Sequence, residues 1–135
     1  MLTLDYIAGF FDGEGSVIVR LKKDQRYRAG YQLVIKIAIH QKSKDVLELI
    51  NQKLGISGKI YYHSRDKLWY LEIYRLEDIK RFVKNLKDRL VIKKYQIEKL
   101  AQILGLVDKK FHLDPKGLMF IEAVWRAPKT GVKPP

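Results

Sequence analysis

Two carboxylates alternate with glycines at the end of a short apolar segment near the start of the chain. Residues 4–16 read LDYIAGFFDGEGS, which places Asp12 and Glu14 on either side of Gly13. A carboxylate next to a free backbone carbonyl is a hard-oxygen site suited to Mg²⁺, so the candidate metal ligands are the Glu14 side chain and the Gly13 carbonyl. Two such sites brought together would resemble a two-metal centre that cleaves phosphodiester bonds. The same pattern is also typical of a solvated turn in which Asp12 marks the end of a helix.

The segment before the carboxylates predicts a helix that is apolar on two opposite sides. The first side recurs at helical spacing and consists of Leu4, Ile7, Ala8 and Phe11. Tyr6 and Phe10 make the opposite side apolar, and a small domain covers only one side with its own core. We therefore expect a second copy of the helix on the other side, where small residues allow close backbone approach. The predicted dimer interface comprises Ile7, Ala8, Gly9, Phe10 and Asp12, and Gly13 and Gly15 are expected to end the helix.

Composition indicates a basic, cysteine-free protein of one domain. The chain has 135 residues, and Lys and Arg outnumber Asp and Glu by 27 to 15, a formal charge of +12. So large a surplus favours a polyanionic partner, most simply nucleic acid, although a generally lysine-rich surface gives the same count. Without Cys, disulfides and a thiolate zinc site are excluded. With no apolar run of membrane-spanning length and no signal peptide, we expect an intracellular protein that is not secreted.

Alternating apolar and polar residues predict two β-hairpins with a helix between them. Strands are expected over residues 16–23, 31–41, 59–65 and 68–74, and the helix over residues 44–54. One side of each strand is apolar, including Tyr62, and the other is polar or basic. Because a sheet or ribbon can enter the major groove and offer several donors at once, the polar sides are candidate DNA-binding surfaces. Exposed Tyr residues also occur in strands for their β-propensity alone.

The candidate DNA contacts lie on these polar strand sides and on the first hairpin loop. They are Arg20, Lys22, Arg26, Arg28, Gln32, Lys36, His40, Lys59, Tyr61, His63, Arg65, Tyr70, Glu72 and Tyr74. Three further helices are expected over about residues 76–87 and 92–104 and from Pro115 onward, where Asp114 is a good N-cap. The predicted fold class is α+β, an antiparallel sheet backed by helices. Residues 1–127 are assigned to one domain and the proline-rich residues 128–135 to a flexible tail.

The nine residues of the motif resemble a known family signature. Residues 7–15, IAGFFDGEG, are similar to the signature of the LAGLIDADG homing endonucleases at all nine positions. That family has the order αββαββα followed by C-terminal helices, with a four-stranded saddle-shaped sheet, so the resemblance extends to nearly the whole chain. In the family the last acidic residue of the motif binds the catalytic metal, which implies this role for Glu14.

The resemblance also implies basic and amide groups near the metal. Gln41 lies at the end of the second predicted strand, where homodimeric members carry a Gln that organises water. Those members have a basic residue a few positions later, for which Lys42 and Lys44 are both candidates. Lys93 matches a second family lysine at the start of a C-terminal helix, although its neighbour Lys94 is an alternative. A Lys in the first turn of a helix is otherwise most often a solvated surface residue.

A single motif supplies half of an active site in this family. The resemblance therefore implies a homodimer that cleaves both strands of a long, partly palindromic DNA site by Mg²⁺-dependent hydrolysis, encoded within an intron. Two other functions remain open. A maturase would use the same fold and basic surface to bind intron RNA, and a regulator would bind DNA without cutting it. Glu14 and Gln41 favour the nuclease, because neither alternative needs them.

Overall fold

The computed structural model describes residues 2–128 and confirms the α+β class. The elements follow the order αββαββα with two more helices. Their bounds are α1 Leu4–Glu14, β1 Gly15–Lys23, β2 Tyr31–Gln41, α2 Lys44–Leu54, β3 Lys59–His63, β4 Leu68–Ile73, α3 Leu76–Leu86, α4 Lys94–Asp108 and α5 Pro115–Arg126. Short 3₁₀ turns lie at Lys87–Arg89 and Phe111–Leu113. The predicted tail lies outside the described residues except for Pro128.

The four strands form one antiparallel sheet in the order β1-β2-β4-β3. Its inner face packs against the helices, and Ile37, Ile39 and Leu71 there are fully buried. Phe11 of α1 meets Phe82 of α3 edge to face, with ring centroids 4.9 Å apart. Burying an aromatic or branched apolar side chain stabilises a fold by about 1.5–3 kcal/mol, so this layer fixes α1 on the sheet. The polar side chains of the opposite, outer face are exposed or half-buried, with the exception of Glu72.

The end of α1 differs from the sequence prediction. Thr3 caps the start, since its Oγ1 accepts a hydrogen bond from the Tyr6 N–H at 3.0 Å. The helix continues through Gly13 and Glu14 and ends only at Gly15, so the prediction that Gly13 ends it was wrong. At Gly15 a Cβ would lie 2.0 Å from a ring carbon of Phe11, so this position requires glycine. Glu14 is therefore held by the last helical turn rather than by a loose loop.

The bounds of three other elements differ from the prediction. β3 ends at His63 and β4 at Ile73, so Arg65 lies in the turn and Tyr74 just beyond the sheet. Tyr62 was assigned to an apolar side but is 49% exposed, and its ring lies 5.2 Å from that of Trp69. α4 begins at Lys94 and passes through Gly105. Among the described residues, every helix is too short or too polar to cross a membrane.

Candidate functional site

Glu14 and His40 face each other where α1 enters the sheet. The antiparallel register pairs Gly15 with Ile39, so Glu14 and His40 are the next residues on each side. His40 Nε2 lies 3.3 Å from Glu14 Oε2, and the two side chains are 43% and 46% exposed. The sequence placed His40 on the outer strand face but did not associate it with Glu14. The sequence contained the information needed for this association, because an antiparallel hairpin that pairs Lys23 with Tyr31 must bring residues 14 and 40 together.

The donor atoms at the end of α1 fit a metal ion that is shared with a phosphate. Within residues 2–128, no group of three His, Cys, Asp or Glu side chains could enclose a metal. The Glu14 carboxylate is accessible, and the Gly13 carbonyl has no partner within its own helix because it lies in the last turn. Mg²⁺ commonly binds one or two carboxylates together with waters and substrate phosphates. One chain thus offers the protein ligands of such a site and leaves most positions for water and substrate.

Asp12 fixes the segment that precedes α4. Its carboxylate accepts hydrogen bonds from the backbone N–H groups of Val91 and Lys93, both at 2.9 Å. Lys93 Nζ returns a hydrogen bond of 2.7 Å to the Asp12 carbonyl. These contacts place the Lys93 ammonium at the C-terminal end of α1, two residues before Glu14. Lys93 is the N-cap residue of α4, whereas the sequence placed it inside the helix.

We expect Asp12→Asn to destabilise the protein by about 2 kcal/mol, because Asn has an NH₂ donor in place of one of the two carboxylate oxygens that accept from Val91 and Lys93. Chemical denaturation monitored by circular dichroism measures this loss. Asp5→Asn is the matched control on the same helix. The Asp5 carboxylate pairs with the Arg89 guanidinium at 2.8 Å on the surface, and such pairs contribute about 0.5 kcal/mol. Equal losses in the two variants would contradict the bridging role of Asp12.

Gln41 and Lys42 lie at the end of β2, next to His40. Gln41 Oε1 accepts a hydrogen bond from the Lys42 N–H at 2.7 Å, which leaves the Gln41 amide N–H groups as donors. The Lys42 side chain is exposed. Lys44 lies over the Trp69 ring at 5.0 Å, and Asp45 follows it in the first turn of α2. The structure therefore brings His40, rather than either lysine, into direct proximity with Glu14.

The predicted dimer interface divides between the two sides of α1. Ile7 and Ala8 are 0% and 1% exposed in a single chain, so their assignment to the interface was wrong: they belong to the chain's own core. Asp12 is occupied by its contacts to residues 91 and 93. The open side of the helix is formed by residues at spacings of three and four. We call it the open helix face, and it comprises Tyr6, Gly9, Phe10 and Gly13.

The candidate DNA contacts are distributed over the outer sheet face and the β1–β2 loop. Arg20, Lys22, Gln32 and Lys36 lie on the β1–β2 part of this face. In the loop, Arg26 forms a bidentate pair with Asp24, and these hydrogen bonds lower the Asp24 pKa to about 2. Arg28 is exposed in the same loop, while Lys59 and His63 lie on β3. The structure thus presents most of these groups on one continuous surface.

Glu72 departs from the expectation of an exposed outer side chain. It lies on the outer face of β4 but is only 7% exposed, because three donors cover it. Tyr61 donates to Oε2 at 2.9 Å, Lys36 to the same oxygen at 3.2 Å, and Tyr74 to Oε1. Burial raises the pKa of Glu72, but the hydrogen bonds from these donors outweigh it and the pKa is lowered. Glu72 is therefore an ionised group that orders its neighbours and has no free surface of its own.

The ionisation of tyrosines at high pH should reveal the hydrogen bonds around Glu72. Hydrogen bonding to Glu72 raises the pKa of Tyr74 from 10.0 to about 12, and burial followed by the same carboxylate raises that of Tyr61. Because these pKa values are raised on folding, their contribution to stability is complete below pH 10 and is lost as pH rises towards 12. We expect an ultraviolet titration in which Tyr74→Phe removes a late component and Tyr62→Phe does not. A single transition near pH 10 would contradict these hydrogen bonds.

The family model described as LAGLIDADG endonuclease matches residues 7–107 of the chain. Among curated proteins, the chain is 28% identical over 115 residues to "Probable intron-encoded endonuclease 3" of Neurospora crassa, which covers 82% of this chain and 22% of that protein. It is 26% identical over 101 residues to "DNA endonuclease I-CreI" of Chlamydomonas reinhardtii, covering 73% of this chain and 60% of that protein. The chain thus spans less than two thirds of the length of these relatives.

Solved structures agree with this assignment of the fold. The crystal structure of the homing endonuclease I-TnaI superposes with a TM-score of 0.82 at 26% identity, covering 92% of this chain and 86% of that one. The archaeal intron-encoded homing endonuclease I-Vdi141I, complexed with DNA, superposes with a TM-score of 0.83 at 25% identity, covering 96% of this chain and 84% of that one. Both likenesses extend over nearly the whole described chain.

Proposed function

The chain belongs to the LAGLIDADG endonuclease family, and on this premise we propose that it is a site-specific double-strand DNA endonuclease that acts as a Mg²⁺-dependent homodimer. The observation that carries the proposal is the accessible Glu14 carboxylate at the end of a helix whose open face is lined by glycines. One chain provides one such carboxylate. Cleaving two strands requires two, and a second chain supplies the other.

The open helix face supports pairing of two chains. Gly9 and Gly13 have no atom within 4 Å of where a Cβ would lie, so a second helix can approach the backbone closely. Tyr6 on the same face is 54% exposed. Val91 and Ile92 are 81% and 73% exposed, and Asp12 holds this segment against the C-terminal end of α1. These apolar side chains extend the surface that would be buried in a dimer.

A two-fold axis through the open helix face would place both Glu14 carboxylates at the centre of the complex. Mg²⁺ bound there supplies Lewis-acid stabilisation of the phosphate and lowers the pKa of water. Glu14 and the Gly13 carbonyl would hold it. His40 lies beside Glu14, and Lys93 sets a positive charge at the same helix end, where it would stabilise charge developing on the phosphate.

The outer sheet face is the proposed DNA-binding surface. Its arginines and lysines contribute to the +12 charge of the chain and would contact phosphates, while the polar strand side chains contact base edges in the major groove. In a homodimer the two sheets lie along one duplex in opposite directions. The recognised site would therefore be long and partly palindromic.

The experiment is incubation of the full chain with Mg²⁺ and DNA that carries the intron-less allele of its host locus, followed by sequencing of the ends. We expect one double-strand cut with short 3′ overhangs. Binding without cutting would instead support a regulator. Accelerated intron splicing without DNA cleavage would support a maturase that uses the same basic surface to bind RNA.

A further inference from the structure

Three phenol groups lie on the outer face of β3 and β4 and just beyond the end of β4, and their protons are all directed at carboxylates. Tyr61 and Tyr74 donate to Glu72, and Tyr70 donates to Asp66 at 2.6 Å. We call these five residues the phenol cluster. An ionised carboxylate accepts hydrogen bonds only, so each hydroxyl proton must point towards its carboxylate. Each phenol oxygen then has lone pairs left over and no proton to give.

We propose that Tyr61 and Tyr70 contact DNA as hydrogen-bond acceptors and thereby select amino-bearing bases, adenine or cytosine, on the strand that faces them. The inference rests on the proposed DNA-binding function and adds the chemical class of base that this surface reads. In the major groove adenine N6 and cytosine N4 are donors, whereas guanine O6 and thymine O4 are acceptors. An acceptor-only oxygen therefore favours adenine or cytosine over guanine or thymine.

Reversal of the Tyr61 hydroxyl on binding would be costly. To donate to a base, Tyr61 must leave Glu72, which is 7% exposed and would remain a buried charge with fewer donors. Phosphate is an equally poor partner, because its oxygens are acceptors and carry the same charge as the two carboxylates. Lys36 and Lys59 instead flank the cluster, over the rings of Tyr74 and Tyr61 at 5.7 and 5.5 Å.

The sheet register places these phenols close to the cleavage centre. His40, Tyr70 and Tyr61 are consecutive across β2, β4 and β3. Tyr61 and Tyr70 stack with ring centroids 5.5 Å apart at 14°, and the Tyr70 ring lies 5.8 Å from that of His40. Tyr61 on β3 is two β-strand spacings, or about 10 Å, from His40 on β2, which lies beside Glu14. This distance corresponds to about three base pairs of DNA. The bases read by the cluster therefore lie within a few base pairs of the proposed cut.

The test is selection of binding sites from a randomised half-site library in EDTA, so that recognition is measured without cleavage. For the wild type we expect roughly fivefold enrichment of adenine or cytosine at one or two adjacent positions. Glu72→Gln keeps the shape of the side chain but adds an N–H donor. One phenol oxygen can accept a hydrogen bond from this N–H, and its own hydroxyl proton is then free to be donated to a base. We expect this variant to lose the preference or shift it towards guanine or thymine. Glu48→Gln, an exposed site with the same change in charge, should retain it.

If Glu72→Gln does not fold, a second pair of variants tests whether the phenol oxygens set the base preference. Tyr61→Phe removes one acceptor oxygen and should lose the preference at one position only, whereas Tyr62→Phe on the other strand side should match the wild type. Unchanged preferences in Glu72→Gln and Tyr61→Phe, or a wild-type preference for guanine or thymine at these positions, would overturn the inference and leave the endonuclease proposal standing. Failure of every protein to enrich any sequence would overturn the proposed function itself.

Discussion

Replacing Glu14 by Gln should lower the rate of DNA cleavage by about a thousandfold or more while DNA binding is retained. The amide is neutral and can no longer hold a divalent ion against a phosphate, and removing charge stabilisation of this kind costs about 4 kcal/mol of the activation barrier. Glu14 lies at the surface end of α1 and is 46% exposed, so its replacement should leave the fold intact. Single-turnover cleavage and gel-shift assays on the same DNA separate the two effects.

Glu48→Gln is the matched control for this prediction. Glu48 is exposed on α2 and carries the same charge, so the variant corrects for the general gain in affinity when one negative charge is removed. We expect it to cleave at the wild-type rate. Cleavage by Glu14→Gln within tenfold of the wild type would show that Glu14 does not hold the metal.

The second large effect is expected from Gly9→Leu, which should make the protein monomeric and abolish double-strand cleavage. In one chain the added side chain meets open space, and leucine in a helix is favoured over glycine by about 0.5–1 kcal/mol. The isolated chain should therefore be slightly more stable. A leucine on the open helix face, however, would hold two backbones apart. Sedimentation, thermal unfolding and cleavage assays on one preparation measure all three outcomes.

Gly105→Leu makes the same substitution at an equivalent helical position. Gly105 lies inside α4, is exposed and has no atom within 4 Å of a Cβ position. It should gain the same stability but keep the oligomeric state and the activity. If Gly9→Leu is dimeric and active, the pairing of α1 helices is refuted, regardless of the oligomeric state and activity of Gly105→Leu.

Periodicity and turn residues predicted most of the fold because those signals are local. β2 begins and ends where the alternation of Leu33, Ile35, Ile37 and Ile39 places it. Asp114 and Pro115 predicted the start of α5, where the Asp114 carboxylate accepts from the Lys116 N–H at 3.2 Å. The motif alone directed attention to Glu14, since carboxylate and glycine alternate within a few residues of sequence.

The errors arose where the packing of side chains overrides a local signal. Gly13 did not end α1 because Phe11 closes against Gly15, and Gly105 did not end α4 because the buried Val107 continues the apolar side. Asp12 binds residues that are 79 and 81 positions away, which no local pattern reveals. Glu72 is covered by side chains from β2, from β3 and from the residue just after β4. A carboxylate beside two tyrosines and a lysine in space is indistinguishable in sequence from an exposed strand residue.

Disulfide trapping between two chains tests most directly whether paired α1 helices bring the two Glu14 carboxylates together. The chain has no Cys, so Gly13→Cys introduces a single thiol beside Glu14 on the open helix face. Two thiols join only when their Cα atoms approach within about 7 Å. With the proposed dimer bound to DNA, mild oxidation should convert most of the protein into a covalent dimer, and Gly105→Cys should remain uncrosslinked. Crosslinking of Gly13→Cys no faster than that of Gly105→Cys would contradict the paired active site.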